Sequence, residues 1–88
     1  LVLWEQGGAA ALSGVTGKCL VGEHGLLRPG QLAAAVSPDD QHAVRTRLVW
    51  LENTHNRGGG TVYPLADTQE IAAWARRHRL AMHLDGAR

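Results

Sequence analysis

The chain has 88 residues, of which 44% are hydrophobic, and nine lysines and arginines against eight aspartates and glutamates give it a net charge of +1. This length suits one small domain over residues 1–88, and the balanced charge excludes the basic surface typical of a nucleic-acid-binding protein. No apolar run approaches the roughly 20 residues of a membrane span, so neither nucleic acid nor a membrane is an expected partner.

The single cysteine and the first residue bear on the cellular context. Cys19 has no partner for an internal disulfide, which favours a reducing, cytoplasmic compartment. We expect it to be a small buried hydrophobic residue rather than a catalytic thiol. The first residues lack a signal-peptide pattern. Position 1 is leucine rather than methionine, so we expect the natural amino terminus to lie upstream.

The first quarter of the chain predicts a helix over residues 2–12, although Gly7 and Gly8 each cost about 1 kcal/mol relative to alanine. Paired glycines allow close approach by another backbone or a flat ligand; the alternative is a frayed terminal element. Gly14 suits the end of this helix. Residues 18–21 predict a short strand, and residues 22–25 a turn.

The middle of the chain predicts a short helix and a buried strand. Proline is tolerated in the first turn of a helix, so Arg28-Pro29-Gly30 introduces a helix over residues 30–36, which the turn residues at 37–40 end. The continuous apolar run at 48–51 is typical of a strand buried on both faces of a parallel sheet. Five polar residues and a glycine-rich loop follow it.

The last third predicts a helix that returns the chain to a second strand. Asp67 as N-cap and Glu70 three residues later form a capping box that begins a helix over residues 68–79. Helical spacing places these residues on its buried face: Ile71, Trp74, Ala75 and His78. A strand over 80–84 completes a right-handed βαβ unit. The expected fold class is α/β, with the carboxyl ends of both strands at one edge.

The residues that end this second strand are the first candidates for a functional site. Leu80, Met82 and Leu84 alternate with Ala81, His83 and Asp85, as in a half-buried strand. Ligands of open α/β sheets bind beyond the carboxyl ends of the strands. Asp85 therefore lies where a strand presents a charged group to a ligand, and Arg88 follows three residues later.

Four stretches of this sequence resemble one enzyme family, in order and in spacing. They are EQGGAAALSGV, SPDDQH with a later RT, LENTHN followed by glycines and a proline, and HLDGAR. Together they are similar to the large domain of the low-specificity threonine aldolases, which are pyridoxal-phosphate enzymes of fold type I in the β-eliminating lyase superfamily. The resemblance covers essentially the whole chain. It implies an internal fragment with a partial, mostly parallel sheet and flanking helices.

The resemblance implies roles for three residues, and the position of Asn53 just after a strand suggests a fourth. Asp85 matches the aspartate that keeps the pyridine nitrogen of pyridoxal 5'-phosphate protonated, and Arg88 matches the arginine that binds the substrate carboxylate. His42 matches a histidine near the substrate hydroxyl, where it acts in proton transfer, although Ala43 follows it where the family usually has an aromatic residue. Asn53 is expected to line the cofactor pocket. The alternative for its segment is a network that satisfies the backbone of the glycine-rich loop.

The implied activity of the full-length parent is cleavage of L-threonine or allo-threonine-type β-hydroxy amino acids to glycine and an aldehyde, by a homo-oligomer (a dimer or tetramer). Lys18 is the only lysine, whereas the family's Schiff-base lysine lies beyond the DGAR strand, so we expect the 88-residue chain alone to be inactive. The five histidines lack metal-binding spacing, and no metal is expected.

Two other functions remain open from the sequence. One is β-elimination from aromatic amino acids by a related pyridoxal-phosphate lyase. The other is a non-catalytic remnant that acts as a structural or interaction module. A downstream strand with a lysine in the genomic sequence would favour an enzyme, and a stop codon after Arg88 would favour the remnant.

Overall fold

The computed structural model describes residues 5–87, which form a small α/β structure with a two-stranded parallel sheet. A 3-10 turn at Asn56–Gly58 lies between the first strand and the last helix. In chain order, the helices and strands are α1 (Gly8–Ser13), α2 (Pro29–Ala35), β1 (Leu48–Glu52), α3 (Leu65–Arg77) and β2 (Ala81–Asp85). Within the described residues, no helix has both the length and the apolar character needed to cross a membrane.

The sheet pairs β1 with β2 in parallel, from Leu48 beside Ala81 to Glu52 beside Asp85. Two backbone hydrogen bonds extend the ladder at its ends: the N–H of Ala81 donates to the carbonyl of Arg47 over 2.9 Å, and the N–H of Asn53 donates to that of Asp85 over 2.8 Å. The predicted strand–helix–strand order and the parallel pairing are thereby confirmed. Both strands end at the same edge of the sheet, called the carboxyl edge below.

The core lies between α3 and one face of the sheet. Seven hydrophobic residues are buried there: Leu32, Val49, Leu51, Tyr63, Ile71, Trp74 and Ala75. Ile71 and Leu51 are 0% and 2% exposed, and burial of a side chain of this size contributes about 1.5–3 kcal/mol. The predicted buried face of α3 is confirmed for its three apolar members. His78 is exposed, but its ring stacks on Trp74 with a centroid separation of 4.5 Å.

The expectation that β1 is buried on both faces is wrong. Its side chains alternate, with Val49 and Leu51 buried whereas Leu48 and Trp50 are 47% and 38% exposed. The physical reason is that α3 packs on one face only. Apolar side chains show that both faces of β1 could be buried, but the described residues cover only one face of the strand.

The predicted start of α3 is also wrong. The helix begins at Leu65 with Pro64 as its N-cap, so Asp67 lies in the first turn and no capping box forms around it. Proline fixes φ near the helical value and donates no N–H, which allows the helix to begin three residues earlier. Asp67 instead accepts a 2.7 Å hydrogen bond from the guanidinium of Arg28, which ties α3 to the start of α2.

The amino-terminal predictions are met in part. The described part of the helix predicted over 2–12 begins only at Gly8, and residues 1–4 lie outside the described residues. Gly14 ends α1 in the left-handed conformation, with φ 62°, as predicted. The strand predicted at 18–21 does not form, and Cys19 is exposed rather than buried. Elsewhere the observed boundaries agree with the predicted ones to within two residues.

Candidate functional site at the carboxyl edge of the sheet

Two carboxylates lie side by side at the carboxyl edge. Glu52 and Asp85 are the last residues of β1 and β2 and form a register pair. Paired residues of neighbouring parallel strands project to the same face, with the strands about 4.8 Å apart. Both residues are half-buried. This geometry presents two acidic groups at the position where ligands of α/β sheets bind.

The same face of the sheet carries an aromatic pair. Trp50 and His83 are the register pair two residues before the carboxylates, and their ring centroids are 4.2 Å apart with an interplanar angle of 43°. The alternation of the strand predicts that His83 shares a face with Asp85. The strand alternation agrees with the shared face, but His83 is exposed and its ring packs against Trp50.

The side chain of Asn53 is engaged within the fold. Its Oδ1 accepts a 3.1 Å hydrogen bond from the backbone N–H of Tyr63. The Tyr63 hydroxyl in turn accepts from the N–H of Leu27 over 2.7 Å and donates to the carbonyl of Gly25 over 3.5 Å. Burial raises the pKa of Tyr63 above its ordinary value, and the hydrogen bond from Leu27 opposes that rise. Asn53 therefore helps to hold the polar loop after β1 in place.

His55 has a comparable structural role in the same loop. Its Nδ1 accepts a 2.9 Å hydrogen bond from the N–H of Gly58, and its backbone N–H donates to the carbonyl of Thr61 over 3.0 Å. A Cβ at Gly25 would collide with the His55 ring, and one at Gly58 with the carbonyl of His24. The bond from Gly58 to His55 is of the kind that the loop-network alternative anticipates, and the loop after β1 also packs directly on the turn around His24.

His42 lies away from the two carboxylates. It is exposed, and its backbone N–H donates to Oδ1 of Asp40 over 2.7 Å. The two residues that flank it line a cleft of about 920 Å³ together with Ala81 at the start of β2. Asp85 is at the other end of that strand, four residues or about 13 Å further along. Within the described residues, the fold does not bring His42 and Asp85 together.

Arg88, Lys18 and a possible metal site remain to be placed. Arg88 lies outside the described residues. Lys18, the only lysine, donates from Nζ to the carbonyl of Ala35 over 3.3 Å at the end of α2. Across residues 5–87, no group of three or more histidine, cysteine, aspartate or glutamate side chains is arranged to hold a metal ion.

The donor set at the carboxyl edge fits one part of pyridoxal phosphate. Asp85 supplies a half-buried carboxylate at a strand end, which is the group that a protonated pyridine nitrogen requires. Glu52, its neighbour, is a second group of the same charge. These residues suit a cationic aromatic nitrogen, and they provide no lysine for a covalent bond to the cofactor.

The comparisons with known proteins identify the family. A model described as Beta-eliminating lyase matches residues 1–88. The chain belongs to this family. It is 40% identical to the low specificity L-threonine aldolase of Escherichia coli K12 over 87 residues. The aligned region covers 98% of this chain and 25% of that protein. The resemblance seen in the ENTHN and DGAR motifs is confirmed.

Two other relatives carry the names of different activities. The probable low-specificity L-threonine aldolase 2 of Arabidopsis thaliana is 37% identical over 89 residues, covering 98% of this chain and 25% of that protein. Alanine racemase TOXG of Cochliobolus carbonum is also 37% identical, over 87 residues, covering 97% of this chain and 22% of its own. The chain spans about a quarter of the length of these relatives.

Sequence reasoning missed three residues that shape this edge. In the sequence, Glu52 begins a polar run, and only a strand longer by one residue places it beside Asp85. The apolar run predicts that Trp50 is buried, and its pairing with His83 follows only from the strand register. Tyr63 carried no signal in the sequence, because its hydroxyl bonds to a backbone group 36 residues away.

Proposed function

We propose that this chain contributes the ring-nitrogen side of the active site in a pyridoxal-phosphate-dependent aldehyde-lyase of fold type I. The reaction is cleavage of L-threonine or allo-threonine-type β-hydroxy amino acids to glycine and an aldehyde. The observation that carries the proposal is Asp85, the half-buried carboxylate that ends β2 within the DGAR motif. The family membership and the 40% identity to a threonine aldolase support it.

Pyridoxal phosphate, when bound, supplies an electron sink for the amino acid. Asp85 holds the proton on the pyridine nitrogen, because the paired charges favour the protonated ring. Arg88 binds the α-carboxylate through its two-pronged guanidinium. His42 takes or orients the proton of the substrate hydroxyl. Asn53 holds the loop beside the cofactor.

The wider setting is part of the same proposal. The full-length protein would be a cytoplasmic homo-oligomer, a dimer or tetramer, that takes a small amino acid as its substrate. The role of His42 in this proposal rests on the family resemblance, because the described fold places its neighbours near the start of β2 rather than beside Asp85. Substitution of His42 by alanine in the full-length protein should lower threonine cleavage more than glycine binding, since glycine has no hydroxyl.

Purified full-length protein loaded with pyridoxal phosphate tests the activity. We expect glycine and acetaldehyde in equal amounts from L-threonine or L-allo-threonine. Pyruvate and ammonia from tryptophan or tyrosine, with no aldehyde from threonine, would favour β-elimination, the second function that the family's name allows. Failure to bind the cofactor or to turn over either class would support the non-catalytic alternative.

A further inference from the structure

Glu52 lies beside Asp85 in the sheet, and the proposed function uses only Asp85. The two residues are a register pair at the ends of β1 and β2, and both are half-buried. Because paired residues of parallel strands project to the same face, the carboxylates leave the same surface as neighbours. α3 packs on the opposite face, against Val49 and Leu51.

Hydrogen bonds hold the Glu52 carboxylate and the Asp85 backbone at the same edge. Oε1 of Glu52 accepts from the backbone N–H of Asn56 over 3.3 Å. The N–H of Asn53, the next residue after Glu52, donates to the carbonyl of Asp85 over 2.8 Å. The loop after β1 is therefore held to Glu52 at one point and to β2 at another. A carboxylate restrained in this way keeps its charge at a defined position.

We propose that Glu52 is a positioning residue for the pyridine nitrogen of pyridoxal phosphate, acting together with Asp85 to keep that nitrogen protonated. This inference rests on the proposed function. A second negative charge within about 5 Å of a titrating group shifts its pKa by about one unit or more in favour of the cation.

The test measures the nitrogen itself in the full-length protein loaded with pyridoxal phosphate labelled with ¹⁵N in the ring. The variant is Glu52→Gln, since its amide oxygen still accepts from Asn56 while the charge is lost. We expect the midpoint of the ¹⁵N-shift titration to fall by about one pH unit, with kcat about tenfold lower. Glu70→Gln is the matched control, because Glu70 is exposed on α3 and its substitution should leave the midpoint unchanged.

Two more variants make the outcome decisive. Glu52→Asp keeps the charge but shortens the reach to Asn56, and it should keep the ring protonated. If Glu52→Asp and Glu52→Gln shift the midpoint equally, Glu52 acts through the loop and the inference is overturned. Asp85→Asn should shift it further than either. A shift with Asp85→Asn and none with Glu52→Gln refutes this inference and leaves the proposed function standing, whereas no shift with Asp85→Asn refutes both.

Discussion

The hydroxyl of Tyr63 accepts a 2.7 Å hydrogen bond from the backbone N–H of Leu27, 36 residues earlier in the chain. Tyr63 is 5% exposed and belongs to the core, whereas Leu27 is partly buried beside it. The bond joins the segment before α2 to the segment before α3. It connects the first half of the chain to the loop that begins at the carboxyl edge.

Substitution of Tyr63 by phenylalanine should lower the free energy of unfolding by about 1–2 kcal/mol, because it leaves the N–H of Leu27 without its acceptor. Urea unfolding followed by circular dichroism measures this loss. A variant as stable as the natural chain would show that solvent satisfies the N–H equally well.

The stability of the chain should also fall at alkaline pH through Tyr63. Burial raises the pKa of this phenol in the folded state above the ordinary value of 10.0. The folded state then binds more protons than the unfolded state above pH 10, so the contribution is complete below that pH and is lost as pH rises through the folded value. Tyr63 is the only tyrosine, so absorbance near 295 nm follows it alone. Tyr63→Phe should lack this component, and a midpoint at or below pH 10 would contradict the argument.

The contact between the loop after β1 and the turn around His24 can be tested through two glycines. An alanine at Gly58 would collide with the carbonyl of His24, whereas a Cβ at Gly30 meets no atom within 4 Å. Gly58→Ala should therefore lower the free energy of unfolding by about 1–3 kcal/mol. Gly30→Ala, in the first turn of α2, should raise it by up to about 1 kcal/mol. A Gly58→Ala variant as stable as the natural chain would contradict the packed contact.

The end of α3 offers a stabilising substitution. Arg79 has φ 56°, and backbone bonds from Arg79 to Arg76 and from Leu80 to Ala75 complete a Schellman motif. This position favours glycine, since a left-handed conformation is costly for residues with a Cβ. Arg79→Gly should raise the free energy of unfolding by about 0.5–1 kcal/mol, which is measured as a higher midpoint of thermal unfolding. Arg76→Gly, inside the helix, should lower the free energy of unfolding by about 1 kcal/mol.

The periodic parts of the fold could be predicted from the sequence, because local spacing determines them. Ile71, Trp74 and Ala75 recur at helical intervals, and alternation marked Asp85 at the end of a strand. The exposure of Trp50 could not be predicted, because it depends on what covers the sheet and a strand's own residues do not report that. The start of α3 could not be predicted either, because aspartate is favoured both as an N-cap and in the first turn of a helix.

The candidate site could likewise be predicted only in part. The DGAR and ENTHN motifs located Asp85 and the family, which are properties of residue identity at fixed spacing. The pairing of Glu52 with Asp85 required the strand register. The bond from Asn53 to Tyr63 required the path of the loop, and neither follows from composition or periodicity.

Turnover of threonine by the Asp85→Asn variant of the full-length protein tests the central claim most directly. An amide cannot balance the charge of a protonated pyridine ring, so we expect kcat to fall by at least about 100-fold, with an unchanged circular dichroism spectrum. Asp39→Asn is the matched control, because Asp39 is exposed in the loop after α2, and it should retain full activity. If Asp85→Asn kept most of its kcat, Asp85 would not be the partner of the ring nitrogen.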